Sequence, residues 1–170
     1  SVAEEGLGRP AGGPGAEFRR AEPRDVDALV DLRIDFMRIV KDGGLPDEEA
    51  WRAELAGLFA RDLASGALLA WVAEEEGRVV ASCGLALGRP DAAEGEGEIL
   101  SVYTAGAYRR RGIGAALLCL ALGEARARGL RRLRLQPTDD GRPLYERAGF
   151  RDEGRDMVLV LEAGRAEEKP

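Results

Sequence analysis

The sequence predicts a mixed α/β domain in which helices pack on a mostly antiparallel sheet. Two features support this prediction. A strand, a helix and a second strand follow one another over residues 98–136, and such a crossover joins parallel neighbours. Apolar runs on either side of short turns predict hairpins, which make other strand pairs antiparallel. The chain has 170 residues, enough for one domain with a sizeable core.

The two ends of the chain differ in composition from its middle. Residues 1–15 are rich in glycine and proline and hold few bulky apolar residues, which predicts a disordered N-terminal arm. Residues 162–170 are similar and predict a flexible C-terminal tail. The folded domain is therefore expected over residues 16–161.

The first half of this domain predicts a strand, two helices and a hairpin. AEFRRA, residues 16–21, predicts a short strand, and Asp25 can cap the helix after it. A second helix begins near Asp47, after the glycine-containing break KDGGLP. Residues 67–88 form two apolar runs about a Glu-Gly turn, typical of a hairpin. The apolar residues at helical spacing are Val26, Leu29, Val30, Met37 and Val40, then Trp51, Leu55, Leu58 and Phe59.

The next part of the chain predicts a strand followed by a helix. An acidic, glycine-containing loop at residues 89–98 leads into EILSVYT, which predicts a strand. A helix is expected over residues 112–128, and Gly129 is placed to end it.

Two more strands and a short helix complete the predicted domain. LRRLRLQ, residues 130–136, predicts a strand, and DMVLVLE predicts the last one. Between them, Pro143 fits the first turn of a short helix and Gly149 its end. The predicted order is β-α-α-β-β-β-α-β-α-β.

The composition excludes several kinds of chemistry. Histidine is absent, which removes histidine bases, Ser-His triads and histidine metal ligands. Cys83 and Cys119 lie far apart in apolar surroundings, which predicts buried thiols rather than a metal site. The net charge of −6 argues against a nucleic-acid partner, and no apolar run approaches the roughly 20 residues that span a membrane. We therefore expect a cytoplasmic protein without a metal, a nucleic-acid partner or a membrane.

The segment YRRRGIGAALL, residues 108–118, predicts an anion site. Three arginines precede a Gly-x-Gly turn and an apolar helix, although a helix N-terminus already carries partial positive charge. A glycine turn at a helix start presents unpaired amides, and phosphate is their usual ligand. The alternative is a tight turn with solvated arginines. Two phosphate motifs do not fit, because no lysine follows Gly112 as in a P-loop and Leu117 replaces the third glycine of a dinucleotide turn.

Two blocks in the second half of the chain together indicate a family. EILSVYTAGAYRRRGIGAALL holds Arg-x-x-Gly-x-Gly at Arg109, Gly112 and Gly114, and LRLQPTDDGRPLYERAGF ends in Leu-Tyr-x-x-x-Gly-Phe. In this order they resemble the GNAT superfamily of acyl-CoA N-acyltransferases, over roughly residues 16–161. The resemblance implies a single N-acetyltransferase domain of GNAT-like α/β fold. Its mixed sheet would have helices on both faces and a central parallel strand pair that splays apart.

The resemblance also implies acetyl-CoA as the co-substrate. Its pyrophosphate would bind the amides of residues 111–115 beside Arg109, and its pantetheine arm would pair with the backbone of Val102 and Thr104. Thr138 stands where the family often has asparagine, and it can still donate a hydrogen bond to coenzyme A. The residues expected to bind coenzyme A are Val102, Tyr103, Thr104, Arg109, Arg110, Arg111, Gly112, Ile113, Gly114, Ala115 and Thr138.

For the reaction, the resemblance implies direct transfer of the acetyl group to an amine. Glu98 matches the position of a family general base, with Glu96 and Glu94 as alternatives and a solvated loop end as the other interpretation. The backbone amide of Val102 would donate a hydrogen bond to the oxyanion. Tyr145 would protonate the leaving thiolate, whereas a purely structural buried aromatic is its alternative.

The acceptor stays open at the level of sequence, although the resemblance implies that its specificity comes mostly from residues 29–40, 46–63 and 151–156. Asp31 and Asp35 lie one helical turn apart and either face a cationic substrate or form a solvated surface. Small-molecule, peptide and protein amines all remain candidates. The rival function is a non-catalytic acyl-CoA-binding regulatory module, and O-acylation or a longer acyl donor is a third interpretation. The resemblance allows a homodimer.

Overall fold

The computed structural model describes residues 15–161, which hold seven strands and four helices. The strands are β1 (Ala16–Arg20), β2 (Leu68–Glu75), β3 (Arg78–Ala86), β4 (Glu96–Thr104), β5 (Arg132–Leu135), β6 (Arg151–Glu153) and β7 (Asp156–Val160). The helices are α1 (Val26–Val40), α2 (Glu48–Ser65), α3 (Ile113–Ala127) and α4 (Arg142–Arg147). Apart from Gly15, the predicted N-terminal arm and C-terminal tail lie outside the described residues.

The strands form one mixed sheet in the order β1-β2-β3-β4-β5-β7-β6. The β4–β5 pair is parallel and the other five neighbouring pairs are antiparallel, which confirms the predicted fold class. The short strand β6 was not predicted, because its sequence Arg-Asp-Glu is charged and fully exposed and carries no apolar periodicity. Its hairpin with β7 adds a seventh strand to the six expected.

Helices cover both faces of the sheet. On β2, Trp71 and Ala73 pack with α3, whereas Val72 between them packs with α1 and α2. This alternation is the period-2 geometry of a strand that is buried on both sides. The predicted hairpin turn is confirmed, since Glu76 and Gly77 both have positive φ (50° and 76°), as a two-residue type I′ turn requires.

Helix α1 extends beyond the core that its first half covers. Leu29, Val30 and Ile34 are buried against the sheet, whereas Ile39 and Val40 are 55% and 58% exposed. Val40 keeps the helical spacing of the buried residues, but it is exposed because the helix has already passed the edge of the core at that point. No helix within residues 15–161 is long and apolar enough to cross a membrane.

The parallel pair separates soon after it forms. Strands β4 and β5 are paired over three positions, from Glu96 with Arg132 to Glu98 with Arg134, while β4 continues to Thr104. Where it pairs with β3, β4 has a bulge. Around Ser101, whose φ is +54°, β4 holds one residue more than the facing part of β3. The result is a wedge-shaped opening at the centre of the sheet.

Candidate active site

A cleft of about 940 Å³ lies at the opening between β4 and β5. The end of β4, the turn before α3, the segment after β5, helix α4 and the last turns of α1 surround it. This volume lies within the range of about 300–1,000 Å³ that small-molecule sites occupy. Its lining includes Val102, Tyr103, Thr104, Arg109, Arg110, Gly112, Ile113, Gly114, Ala115, Thr138 and Tyr145, which are eleven of the thirteen predicted site residues.

The glycine-turn wall of the cleft (Gly112, Ile113, Gly114 and Ala115) is made of backbone. Gly112 caps α3 with a φ of +76°, a conformation that costs glycine little. At this end of the helix the Ala116 amide donates to the Gly112 carbonyl, at 3.1 Å. The preceding amides therefore have no partner one turn back in the helix, and they are the groups that bind phosphate at helix starts. The wall fits the pyrophosphate of coenzyme A.

The three arginines before this turn have different surroundings. Arg109 donates from Nε to the Thr104 carbonyl at 3.0 Å and lies over the Tyr103 ring. Arg110 is exposed and lines the cleft. Arg111 instead forms a two-pronged ion pair with Glu75, at 3.0 and 3.1 Å, and its side chain does not line the cleft. Two of the three predicted cations are thus available to a ligand.

Tyr145 lies on α4 at the inner side of the cleft, where it is 7% exposed. Burial, and secondarily the neighbouring Cys83, raises the pKa of its phenol, so the hydroxyl stays protonated at neutral pH. Gly141 packs against it so closely that a Cβ there would lie 2.9 Å from Tyr145 Cε2. The Gly141 amide donates to Thr138 Oγ1 at 3.1 Å, which fixes this turn and leaves the Thr138 hydroxyl proton free to donate.

The thiols differ in burial. Cys83 is fully buried, and desolvation raises its pKa to about 12, so it is a neutral, unreactive thiol. Cys119 is half-buried rather than buried as predicted, because it sits toward the outer side of α3. Cys83 therefore does not provide the activated thiolate that a covalent acyl-enzyme needs, and Cys119 does not line the cleft.

Glu98 does not line the cleft. Its carboxylate is ion-paired with Arg89 at 3.2 Å and with Arg134 at 3.7 Å, and its side chain is 20% exposed. Alternation along β4 places it on the same sheet face as Leu100, which packs toward α1 and α2. The alternative bases Glu96 and Glu94 are farther from the cleft, in a smaller cavity at the other end of β4.

The opposite side of the cleft, the α1 wall (Phe36, Ile39 and Val40), is apolar. The Phe36 ring meets the Tyr103 ring edge to face, with centroids 6.0 Å apart. These three residues lie in the segment 29–40, to which the family resemblance assigns acceptor specificity, but the sequence did not single them out; the signal was an apolar stripe that continues beyond the core. Neither Asp31 nor Asp35 lines the cleft; Asp31 is paired with Arg52 at 2.5 Å and Asp35 with Arg38 at 3.2 Å.

Comparisons with known proteins agree on one family. The model of the acetyltransferase (GNAT) family matches residues 27–150. A predicted acetyltransferase from Clostridium acetobutylicum, solved with acetyl-CoA, is 27% identical, with a TM-score of 0.71 over 86% of this chain and 96% of that one. A GCN5-related N-acetyltransferase from Ralstonia eutropha is 28% identical, with a TM-score of 0.72 over 82% and 95%. A ribosomal-protein-alanine N-acetyltransferase from Brucella melitensis is 25% identical, with a TM-score of 0.64 over 85% and 99%. No curated protein sequence matches the chain.

Proposed function

The chain belongs to the acetyltransferase (GNAT) family, and from that membership we propose that it transfers an acetyl group from acetyl-CoA directly to an amine. One observation carries the proposal: the opening between β4 and β5 brings an anion-binding turn and a buried, protonated tyrosine into one cleft. The similar protein from Clostridium acetobutylicum was crystallised with acetyl-CoA, which supports the donor.

The donor would bind along the β4 side of the cleft. The glycine-turn wall receives the pyrophosphate, and Arg109 and Arg110 add positive charge beside it. Beyond Glu98, β4 has no β5 partner, so the backbone of Val102 and Thr104 is placed to pair with the pantetheine arm. The Thr104 carbonyl already accepts from Arg109 and retains its second lone pair for the arm.

In the transfer itself, the amine nitrogen attacks the thioester carbon, a C–N bond forms and the C–S bond breaks. The amide of Val102, at the β4 bulge, would donate to the carbonyl oxygen as negative charge develops there. The electron pair of the broken bond leaves with the sulfur as a thiolate. The ammonium proton of the acceptor must be removed before attack, and the thiolate must finally gain a proton.

Glu98 would remove the ammonium proton, and Tyr145 would stabilise the departing thiolate until it is protonated. Glu98 does not line the cleft, so it would receive the ammonium proton through water. The Tyr145 hydroxyl would donate a hydrogen bond to the departing sulfur. The pKa of a tyrosine already lies above that of an ordinary thiol, and burial raises the pKa of Tyr145 further, so this donor remains protonated and stabilises the thiolate until the sulfur takes a proton from water.

The proposal is tested by thiol release from acetyl-CoA with a panel of amines, together with acetyl-CoA binding by calorimetry. Release that depends on an added amine, with the acetylated amine identified by mass, is the expected result. Binding of acetyl-CoA without release by any amine would favour the non-catalytic acyl-CoA-binding module. Comparison of acetyl-CoA with longer acyl-CoAs, and of amines with alcohols, tests the donor and the acceptor atom.

A further inference from the structure

One stripe of α1 runs from the protein core into the cleft. Leu29, Arg33, Phe36 and Val40 are spaced four, three and four residues apart, so they share one face of the helix. Leu29 is buried in the core, and Phe36 and Val40 line the cleft. Arg33 thus lies within an otherwise apolar stripe, one helical turn from the cleft-lining Phe36.

Arg33 has no carboxylate within 4 Å among residues 15–161. It does not itself line the cleft, but its guanidinium carbon lies 5.2 Å from the ring centroid of Phe36, which does. Burial lowers the pKa of its guanidinium, although the group remains charged. Seven other half-buried arginines each lie within 4 Å of a carboxylate; these are Arg19, Arg38, Arg52, Arg111, Arg132, Arg134 and Arg142. A partly desolvated cation without an anion favours a ligand that supplies one.

The carboxylates Asp31 and Asp35 of α1 are not available to bind a cationic acceptor. Asp31 and Asp35 are neutralised by Arg52 and Arg38, so they do not form a free anionic surface for a polycation. Ile39 and Val40 both line the cleft and are 55% and 58% exposed. Two adjacent large apolar side chains at this exposure indicate contact with an apolar part of a ligand.

We infer that the acceptor is an amine that also carries a carboxylate and an apolar group, the chemistry of an apolar α-amino acid. The inference rests on the proposed function and names the substrate class of the same site. The carboxylate pairs with Arg33, and the apolar group packs on the α1 wall. The amine is then held beside Tyr103, whose ring meets Phe36, at the end of β4 where the thioester would lie.

The test compares matched acceptors in the thiol-release assay with the full chain. Leucine is compared with leucinamide, with 3-methylbutylamine (leucine without its carboxylate) and with spermidine; phenylalanine and its amide form a second series. We expect kcat/KM for the amino acids to exceed that of each comparison amine by roughly 10-fold or more, the usual contribution of a charge-assisted hydrogen bond.

Variants locate the effect. Arg33→Gln should lower kcat/KM for leucine by roughly 10- to 100-fold. It should leave kcat/KM for leucinamide and the Kd of acetyl-CoA unchanged. Arg61→Gln, an exposed arginine on α2, is the control and should change none of them. Ile39→Asn should lower kcat/KM for leucine more than kcat/KM for glycine. Leu58→Asn, which changes an exposed apolar residue on α2, should not alter the ratio of the two.

The outcomes separate the two claims. Equal or better use of leucinamide, 3-methylbutylamine or spermidine would overturn the acceptor class while the transferase activity stands. Acetyl-CoA binding with no turnover of either amino acid would overturn it as well. Failure to bind acetyl-CoA would remove the proposed function itself. If Arg33→Gln keeps the wild-type Kd for acetyl-CoA, a lower kcat/KM for leucine in this variant does not come from a loss of folding.

Discussion

The two sides of the cleft are built by different means. The glycine-turn wall presents backbone amides at the start of α3, where the identity of the side chains matters little. The α1 wall presents side chains, an aromatic ring and two exposed aliphatic groups, beyond the point where its helix covers the core. A binding surface made of backbone groups can bind the same ligand although its side chains differ between sequences. A binding surface made of side chains can change its ligand specificity through single substitutions.

This difference has consequences for what mutations do. Changes near the glycine-turn wall and α4 should act on all acceptors equally, because they affect the donor and the departing sulfur. Changes on the α1 wall should alter the choice of acceptor and leave the donor bound. The following predictions proceed from the largest expected effect to the smallest.

Tyr145→Phe should lower kcat by roughly 10²- to 10⁴-fold with every acceptor, because the departing thiolate loses its donor. The Kd of acetyl-CoA should stay unchanged, since the ring remains in place. Because burial raises the pKa of the phenol, the protonated form persists as pH rises, and no loss of activity from this group is expected below about pH 10. Tyr108→Phe, which removes another hydroxyl at the same cleft, is the control. Equal effects of the two variants would exclude a specific role for Tyr145.

Glu98→Gln should lower kcat/KM by roughly 10²-fold if this carboxylate receives the ammonium proton. Its partner arginines Arg89 and Arg134 remain, so the fold should be little affected. Glu96→Gln removes a carboxylate two residues away on the same face of β4 and serves as the control. A pH profile of kcat/KM for both variants is the measurement. A wild-type profile in Glu98→Gln would exclude Glu98 as the base, and a wild-type profile in both variants would leave Glu94 or water to receive the proton.

Gly141→Ala should lower kcat by roughly 10- to 100-fold, because misplacing a catalytic group by about 1 Å costs up to that much. The backbone at Gly141 suits alanine, with a φ of −83°, but the added Cβ would press on Tyr145 and on Thr138 Oγ1. Gly123→Ala in α3 is the control, because nothing lies within 4 Å of its Cβ position. That variant should gain about 0.5–1 kcal/mol in free energy of unfolding with kcat unchanged.

Asp31→Asn and Asp35→Asn should change KM for any acceptor by no more than about 2-fold, because both carboxylates belong to partly exposed ion pairs. Their expected cost is below about 1 kcal/mol in free energy of unfolding, measured by urea denaturation. A large rise in KM for a cationic acceptor would restore the acidic face of α1 as a binding surface. It would also contradict the apolar character assigned to the α1 wall.

The sequence predicted the backbone-built features well. Gly129 ends α3 as expected, with a φ of +73° and the Leu130 amide bonded to the Ala125 carbonyl. Gly112 could be placed because a glycine turn at a helix start is a recognisable local pattern, whereas the role of Tyr145 followed from the family resemblance. The separation of β4 and β5 followed from the family resemblance, and the three-position ladder agrees with it.

Side-chain partners could not be predicted in the same way. Arg111 turns away to Glu75, which is 36 residues distant in sequence, and Glu98 meets Arg134 only through the parallel register of β4 and β5. The role of the α1 wall depends on where the helix leaves the core, and helical periodicity alone does not reveal that point. Strand β6 was not predicted from the sequence because its pairing depends on β7 and not on its own residues.

The central claim is that the turn before α3 binds acetyl-CoA, and calorimetry on two glycine variants tests it most directly. Gly112 and Gly129 stand at opposite ends of the α3 region with nearly equal φ, +76° and +73°, so glutamate strains the backbone similarly at both. We predict that the wild-type chain binds acetyl-CoA and that Gly129→Glu retains this affinity. Gly112→Glu should weaken binding roughly 100-fold or more, because its carboxylate faces the phosphates. Equal affinities for the two variants, or no binding by the wild-type chain, would contradict the claim.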